Sequence, residues 1–384
     1  MIYLDNAATT KTAPEVVAAM LPYFTEQYGN PSSIYSFASE SKKAMEGARQ
    51  VIAAGIGAEP GEIYFTSGGT EADNWAIKAV AEACAEKGRH MITTAIEHHA
   101  VLHTCRELEK KGFRITYLPV DEFGRVQPEM LEKAICPDTV LISVMFANNE
   151  IGTIEPIAQI GQIAAKHGVF FHTDAVQAYG QIPVDVNSCS IDLLSASAHK
   201  LNGPKGVGFL YIRKGLKIRS LLQGGTQERN RRAGTENLPG IVGFGAAAKK
   251  AMNFMEEKIR KETKLRDYLI DRIEREIPSC RLNGDRTNRL PNNVNFSFSG
   301  IEGESLVISL DLLGICASAG SACTSGSLEP SHVLSALGLD DKTAGGALRL
   351  TLSEETTKEE LDVTVESIRK CVERLRSLSG MTFE

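Results

Sequence analysis

The stretch DLLSASAHKLNGPKGVGFLYIR, residues 192–213, decides how the chain folds. DLLSASA (192–198) and VGFLYIR (207–213) each read as a buried strand. The connection HKLNGPKG is too short for a crossover helix, and parallel neighbours need one. The two strands are therefore expected to pair antiparallel. Upstream the pattern is different. EIYFTS (62–67), HMITTAI (90–96), FRITYLPV (113–120), TVLISVMFA (139–147) and VFFHTDA (169–175) are apolar runs of strand length. EADNWAIKAVAEACAEK, AVLHTCRELEKK, PEMLEKAI and IAQIGQIAAKHG between them carry helical periodicity. Strand–helix repetition with nearly continuous apolar strands predicts a mostly parallel sheet covered on both faces. The count is seven strands, one of them antiparallel.

Residues 14–28 (PEVVAAMLPYFTEQY) read as one amphipathic helix, with proline at its start. From about 240 to 277 the chain reads as a long connecting helix into a C-terminal α+β region. There NNVNFSFSG and ALRLTLS are strand candidates, while EGESLVISLDLLG and the last thirty residues are helical. At 384 residues, one large unit plus a smaller one is expected. The proposed division is 14–257 for the large unit, with 1–13 and 258–384 forming the small one.

A net charge of −6 gives no reason to expect affinity for nucleic acid or an anionic membrane surface. No apolar run has transmembrane length, and MIYLDNAATT lacks a signal-peptide layout, so the expected compartment is the cytoplasm. The eight cysteines include no CxxC pair, which argues against a zinc or thioredoxin-like site. Seven read as inert buried thiols, Cys316 among them in its apolar run. Cys323 differs: ASAGSACTSGSLEPSH (317–332) offers little apolar surface to bury it.

In open α/β sheets, ligands bind beyond the carboxyl ends of strands. Asp174 and Gln177 follow one strand candidate; Ser197, His199 and Lys200 follow the next. Lysine can form a Schiff base with a pyridine cofactor while a carboxylate keeps the ring nitrogen protonated. By spacing alone the pair reads equally well as surface residues at loop starts. FTSGGTEADN has the strand–glycine–helix form in which Gly69, Thr70 and the helix N-terminus bind an anion, though it lacks the lysine of a P-loop. RRAGTEN, with Thr235, is a second segment of that kind. His98 opens a helix at the ligand edge, where its ring can stack on a flat cofactor and exchange protons near neutral pH. His99 and His103 share a helical face, but no carboxylate completes a metal set, so no metal is expected and local hydrogen bonding remains their alternative reading.

These motifs resemble the NifS/IscS family of cysteine desulfurases, in the class V branch of fold-type I pyridoxal-phosphate enzymes, and more closely its NifS side. YLDNAATT, GNPSS, FTSGGTEADN, EHHAVL, ANNEIGT, HTDAVQ, SAHKLNGPKG, GGTQERNRRAGTEN, GSACTSGSLEPSH and LRLTLS run in family order over nearly the whole chain. The resemblance implies an α/β, fold-type I PLP-dependent transferase fold with pyridoxal 5′-phosphate carried on Lys200. Asp174 would pair with the pyridinium nitrogen, Gln177 with the phenolic oxygen, and His98 would stack on the ring. Thr70, Ser197 and His199 would hold the phosphate, joined by Thr235 from a second subunit of a homodimer. Asn149 and Arg349 would receive the carboxylate of L-cysteine, the latter through its planar fork. Cys323 would take the sulfur as a persulfide, on a loop near 321–330 that is expected to be poorly ordered or displaced from the cofactor. An iron–sulfur scaffold protein of the NifU/IscU kind would accept it. A selenocysteine lyase or another class V aminotransferase or lyase would use the same Lys200 and Asp174 without a loop thiol. A non-catalytic sulfur-handling scaffold would need neither.

Overall fold

The computed structural model describes residues 1–319 and 331–378. Its strands in chain order are β1 (Ile2–Tyr3), β2 (Ile63–Thr66), β3 (His90–Thr94), β4 (Arg114–Leu118), β5 (Thr139–Ser143), β6 (Phe170–Asp174), β7 (Leu193–Ser197), β8 (Gly208–Ile212), β9 (Cys280–Leu282), β10 (Asn293–Phe298), β11 (Ile315–Cys316) and β12 (Ala347–Thr351). Seven of them form one sheet in the order β2-β8-β7-β6-β5-β3-β4. β8 runs antiparallel to β7 and β2, while the other pairings are parallel. The expected sheet and its single antiparallel member are present.

Both faces of the sheet are covered, which explains the unbroken apolar strands. Successive residues point to opposite sides. Leu194 and Phe209 join a core with Ile52, Ile160 and Phe244, from helices Ser36–Ala54, Ile157–His167 and Leu238–Asn253. Their neighbours Leu193 and Leu210 join the opposite core with Trp75, Val80 and Leu108, from helices Gly69–Ala83 and His99–Glu109.

A second, three-stranded antiparallel sheet, β12-β10-β9, packs with helices Met255–Glu276, Gly303–Asp311 and Lys358–Leu378 around Phe296, Leu350, Ile270 and Ile368. The N-terminal β1 pairs parallel with β11, and Leu4 is buried in this cluster. No helix among the described residues is long and apolar enough to cross a membrane.

Two expected helices are each divided. Residues 14–28 form Pro14–Met20 and Pro22–Thr25, and Pro22 has no N–H to continue the first. The long connecting helix is Leu238–Asn253 followed by Met255–Glu276, with Phe254 out of helical geometry at φ −116° and ψ 11°. Four cysteines expected to be buried, Cys136, Cys189, Cys280 and Cys316, are only half-buried; Cys84, Cys105 and Cys371 are buried. In β11 it is Ile315 that points into the core, and strand alternation turns Cys316 the other way.

Candidate active site

The carboxyl ends of β2, β3, β5, β6 and β7 meet at one edge of the large sheet. A cavity of about 230 Å³ opens there. Asp174, the last residue of β6, forms part of its wall, with Gln177 one turn further on. β7 ends at Ser197, and a tight 3-10 turn, Ala198–Lys200, then brings His199 and Lys200 to the same cavity. From other elements come Gly69 and Thr70 at a helix start, His98 before the helix His99–Glu109, Asn149 after β5, and Arg349 in β12. Of the twelve residues proposed from the sequence, the structure therefore gathers ten around one cavity.

The remaining two differ. Thr235 is exposed and lines neither this cavity nor its neighbour, although Arg232 of the same segment is anchored by Nε to Glu71 Oε1 at 2.9 Å. Cys323 and the loop near 321–330 lie outside the described residues.

Lys200 is held by backbone oxygens: Nζ donates to Ala7 O at 2.5 Å and to Ala8 O at 2.7 Å. Gln177 Nε2 donates to Ala7 O at 3.1 Å. The segment DNAATT thus closes the cavity, and the sequence assigned its residues no role. Asp174 accepts the Val176 amide at 2.9 Å. Burial pushes its pKa up to about 6, against the opposing pull of that amide and of Lys200.

His98 caps its helix, with Nδ1 accepting the Ala100 N–H at 3.2 Å. Burial first, then the charge of Lys200, pushes it down to about 4. The ring is therefore neutral near pH 7, where an imidazole of ordinary pKa would be partly protonated. His99 and His103 share a helical face as expected, their ring centroids 5.0 Å apart; His332 lies 4.8 Å from His99.

Arg349, 1% exposed, donates from Nη1 to Asn149 O at 3.0 Å and from Nη2 to Asp5 Oδ1 at 2.8 Å. Its Nε is buried and has no hydrogen-bond partner among the described residues. A second cavity, about 430 Å³, adjoins the helix start and shares Gly69, Thr70, Ser197 and His199 with the first. Lys205 lines it as well, a cation in the quoted motif that sequence reasoning left unassigned. His199 Nδ1 lies 3.2 Å from Thr9 Oγ1, and burial together with Lys200 pushes its pKa down to about 4.

The site thus pairs an amine with a buried carboxylate across a small cavity, and places a helix N-terminus with hydroxyl and imidazole groups at one end. On a mostly parallel seven-stranded sheet, this is the fold-type I α/β architecture. The chain belongs to the aminotransferase class-V family, whose profile matches residues 2–363. Over 381 residues it is 57% identical to a protein of Methanosarcina thermophila named cysteine desulfurase IscS, covering 99% of this chain and 94% of that one. A protein of Clostridium botulinum with the same name is 56% identical over 382 residues, covering 99% and 96%. The solved structure of a NifS-like protein superposes with a TM-score of 0.92 at 40% identity, covering 97% of this chain and 99% of that one.

Proposed function

We propose that the protein is a pyridoxal 5′-phosphate-dependent cysteine desulfurase that converts L-cysteine to L-alanine and takes the sulfur on Cys323. The observation that carries this reading is that Lys200 and Asp174 face one cavity ending at the Gly69–Thr70 helix start. The family and the names of the 56–57% identical relatives support it.

The residues present fit the cofactor. A Cβ on Gly69 would stand 2.6 Å from Val176 Cγ2, so only glycine lets the helix start approach the cavity wall this closely. Amide N–H groups at such a start favour a phosphate. A lysine amine for covalent attachment and a buried carboxylate for a pyridinium nitrogen complete the donor set. Once bound, pyridoxal 5′-phosphate supplies an electron sink for the Cα–H bond of the substrate.

In this reading Lys200 would hold the cofactor and then carry the Cα proton on Nζ. Asp174 would pair with the ring nitrogen, Gln177 with the phenolic oxygen, and the His98 ring would cover one face. Thr70, Ser197 and His199 would bind the phosphate together with Thr235 of the partner subunit in a homodimer. Asn149 and Arg349 orient the substrate carboxylate. Cys323, as a thiolate, forms an S–S bond to the substrate sulfur while the Cβ–S bond breaks. The electron pair stays with the carbon skeleton, which regains protons at Cα and Cβ and leaves as alanine. The persulfide then passes to an acceptor, an iron–sulfur scaffold of the NifU/IscU kind, in the cytoplasm. Residues 14–257 would house the cofactor, and 1–13 with 258–384 would form the smaller unit that carries Cys323.

The test is absorbance. Protein supplied with pyridoxal 5′-phosphate should gain a band near the visible edge and release alanine from L-cysteine, and Lys200→Ala should remove both. A wild-type protein with neither overturns the reading.

A further inference from the structure

Two carboxyl groups stand side by side in the wall of the cavity. Asp73, on the helix Gly69–Ala83, is 1% exposed and lines the cavity beside Asp174. A carboxylate oxygen from each of them and a ring nitrogen of His98 lie within 4.8 Å of one another. Asp73 Oδ1 has no hydrogen-bond partner among the described residues. His172 Nε2 is 3.6 Å from that oxygen, beyond hydrogen-bond range. Both ring nitrogens of His172 face hydroxyls instead, Ser143 Oγ at 2.8 Å and Ser195 Oγ at 3.0 Å. Burial pushes His172 down to about 3, so it is neutral and cancels no charge. Glu97, fully buried, adds a third carboxyl group to the same surroundings. Lys200 is the cation acting on Asp174.

Two carboxylates this close and this dry do not both stay ionised. Burial, then the charge of Asp174, holds Asp73 well above the carboxylate range, against the opposing pull of the Ser195 hydroxyl. Burial lifts Asp174 only to about 6, because the Val176 amide and Lys200 favour its anion.

We propose that Asp73 carries the proton of this pair and donates it as a hydrogen bond toward Asp174, keeping Asp174 the anion that faces the ring nitrogen of the cofactor. Asp73 is then a positioning residue acting through Asp174. The inference rests on the cofactor reading above, but one arm of its test does not.

That arm is infrared difference spectroscopy of the cofactor-free protein near neutral pH. Wild type minus Asp73→Asn should show the C=O stretch of a protonated carboxylic acid; its absence overturns the proposal. The second arm is titration with pyridoxal 5′-phosphate, read from the absorbance band at several pH values. Asp73→Leu removes the donor, so Asp174 takes a proton more readily. Affinity should fall about tenfold or more, and its acid-side decline should move to higher pH. Asp73→Asn restores a neutral donor and should recover most of that affinity with the wild-type pH profile. Wild-type behaviour of Asp73→Leu, or equal loss in both variants, overturns the proposal. If the wild-type protein gives no band at all, the cofactor reading fails, and the infrared arm still decides whether Asp73 holds the proton.

Discussion

Asp5 Oδ1 accepts from Arg349 Nη2 at 2.8 Å, tying the N-terminal segment to β12 across a sequence separation of 344 residues. The Arg349 side chain is 1% exposed and that of Asp5 is 18% exposed. A cation this buried depends on its partners. Asp5→Ala should cost about 2–3 kcal/mol of stability, read by urea unfolding, because it leaves the guanidinium short of an anion. Arg349→Lys keeps the charge but loses the fork, and should raise KM for L-cysteine about tenfold or more with a smaller change in kcat. An unchanged KM removes Arg349 from the substrate carboxylate site.

Gly69 tests the approach of the helix start. In Gly69→Ala the new methyl meets Val176 Cγ2, and the affinity for pyridoxal 5′-phosphate should drop about tenfold. Trimming the obstruction in a Gly69→Ala, Val176→Ala double variant should recover most of it. Equal losses in the single and double variants would put the cause elsewhere.

Glu262 gives a pH-dependent stability far simpler than that of the cavity. It is fully buried in the helix Met255–Glu276, and neither carboxylate oxygen has a hydrogen-bond partner among the described residues. Burial pushes its pKa from 4.5 up to about 7, in spite of Lys258. The folded state therefore binds this proton more tightly than the unfolded chain. Its contribution is fully present below pH 4.5 and is lost as pH rises through 7. Glu262→Met should remove that dependence, so the variant should gain on wild type by roughly 3 kcal/mol between pH 4.5 and 8. Urea midpoints at the two pH values measure it. A stability difference that does not change with pH contradicts the buried, titrating carboxyl.

Cys323 separates sulfur transfer from the rest of the chemistry. Cys323→Ala should keep the cofactor band and lose alanine and sulfide production by about a hundredfold or more, since no cysteine among the described residues lines the cavity. Unchanged turnover would favour a lyase that does not use the thiol.

Where sequence and structure part, the cause is local. The expected helix over 14–28 is broken at Pro22, whose missing N–H interrupts an apolar period that continues on either side. Phe254 has no such mark; its backbone bends where the helix leaves the large sheet for the second one. His98 titrates lower than its residue type suggests because burial and Lys200, both tertiary, act on it. Asp73 stands within a quoted motif, yet nothing in the motif says which side of the helix faces Asp174.

By itself the sequence determined the sheet. Apolar runs, helical periods between them and one connection too short for a crossover specify strand number, direction and the single antiparallel member, because these depend on neighbouring residues. It also placed Gly69, Thr70, His98, Asp174, Gln177, Ser197, His199 and Lys200 just past strand ends, while Asn149 and Arg349 came from the family resemblance. The tertiary structure alone decided what those residues touch. Lys200 is held by carbonyls 192 and 193 residues away, Arg349 by an aspartate at the opposite end of the chain, and Asp174 lies beside a second buried acid. Charge state and hydrogen bonding depend on burial and on neighbours brought from distant segments, and neither is written in local spacing.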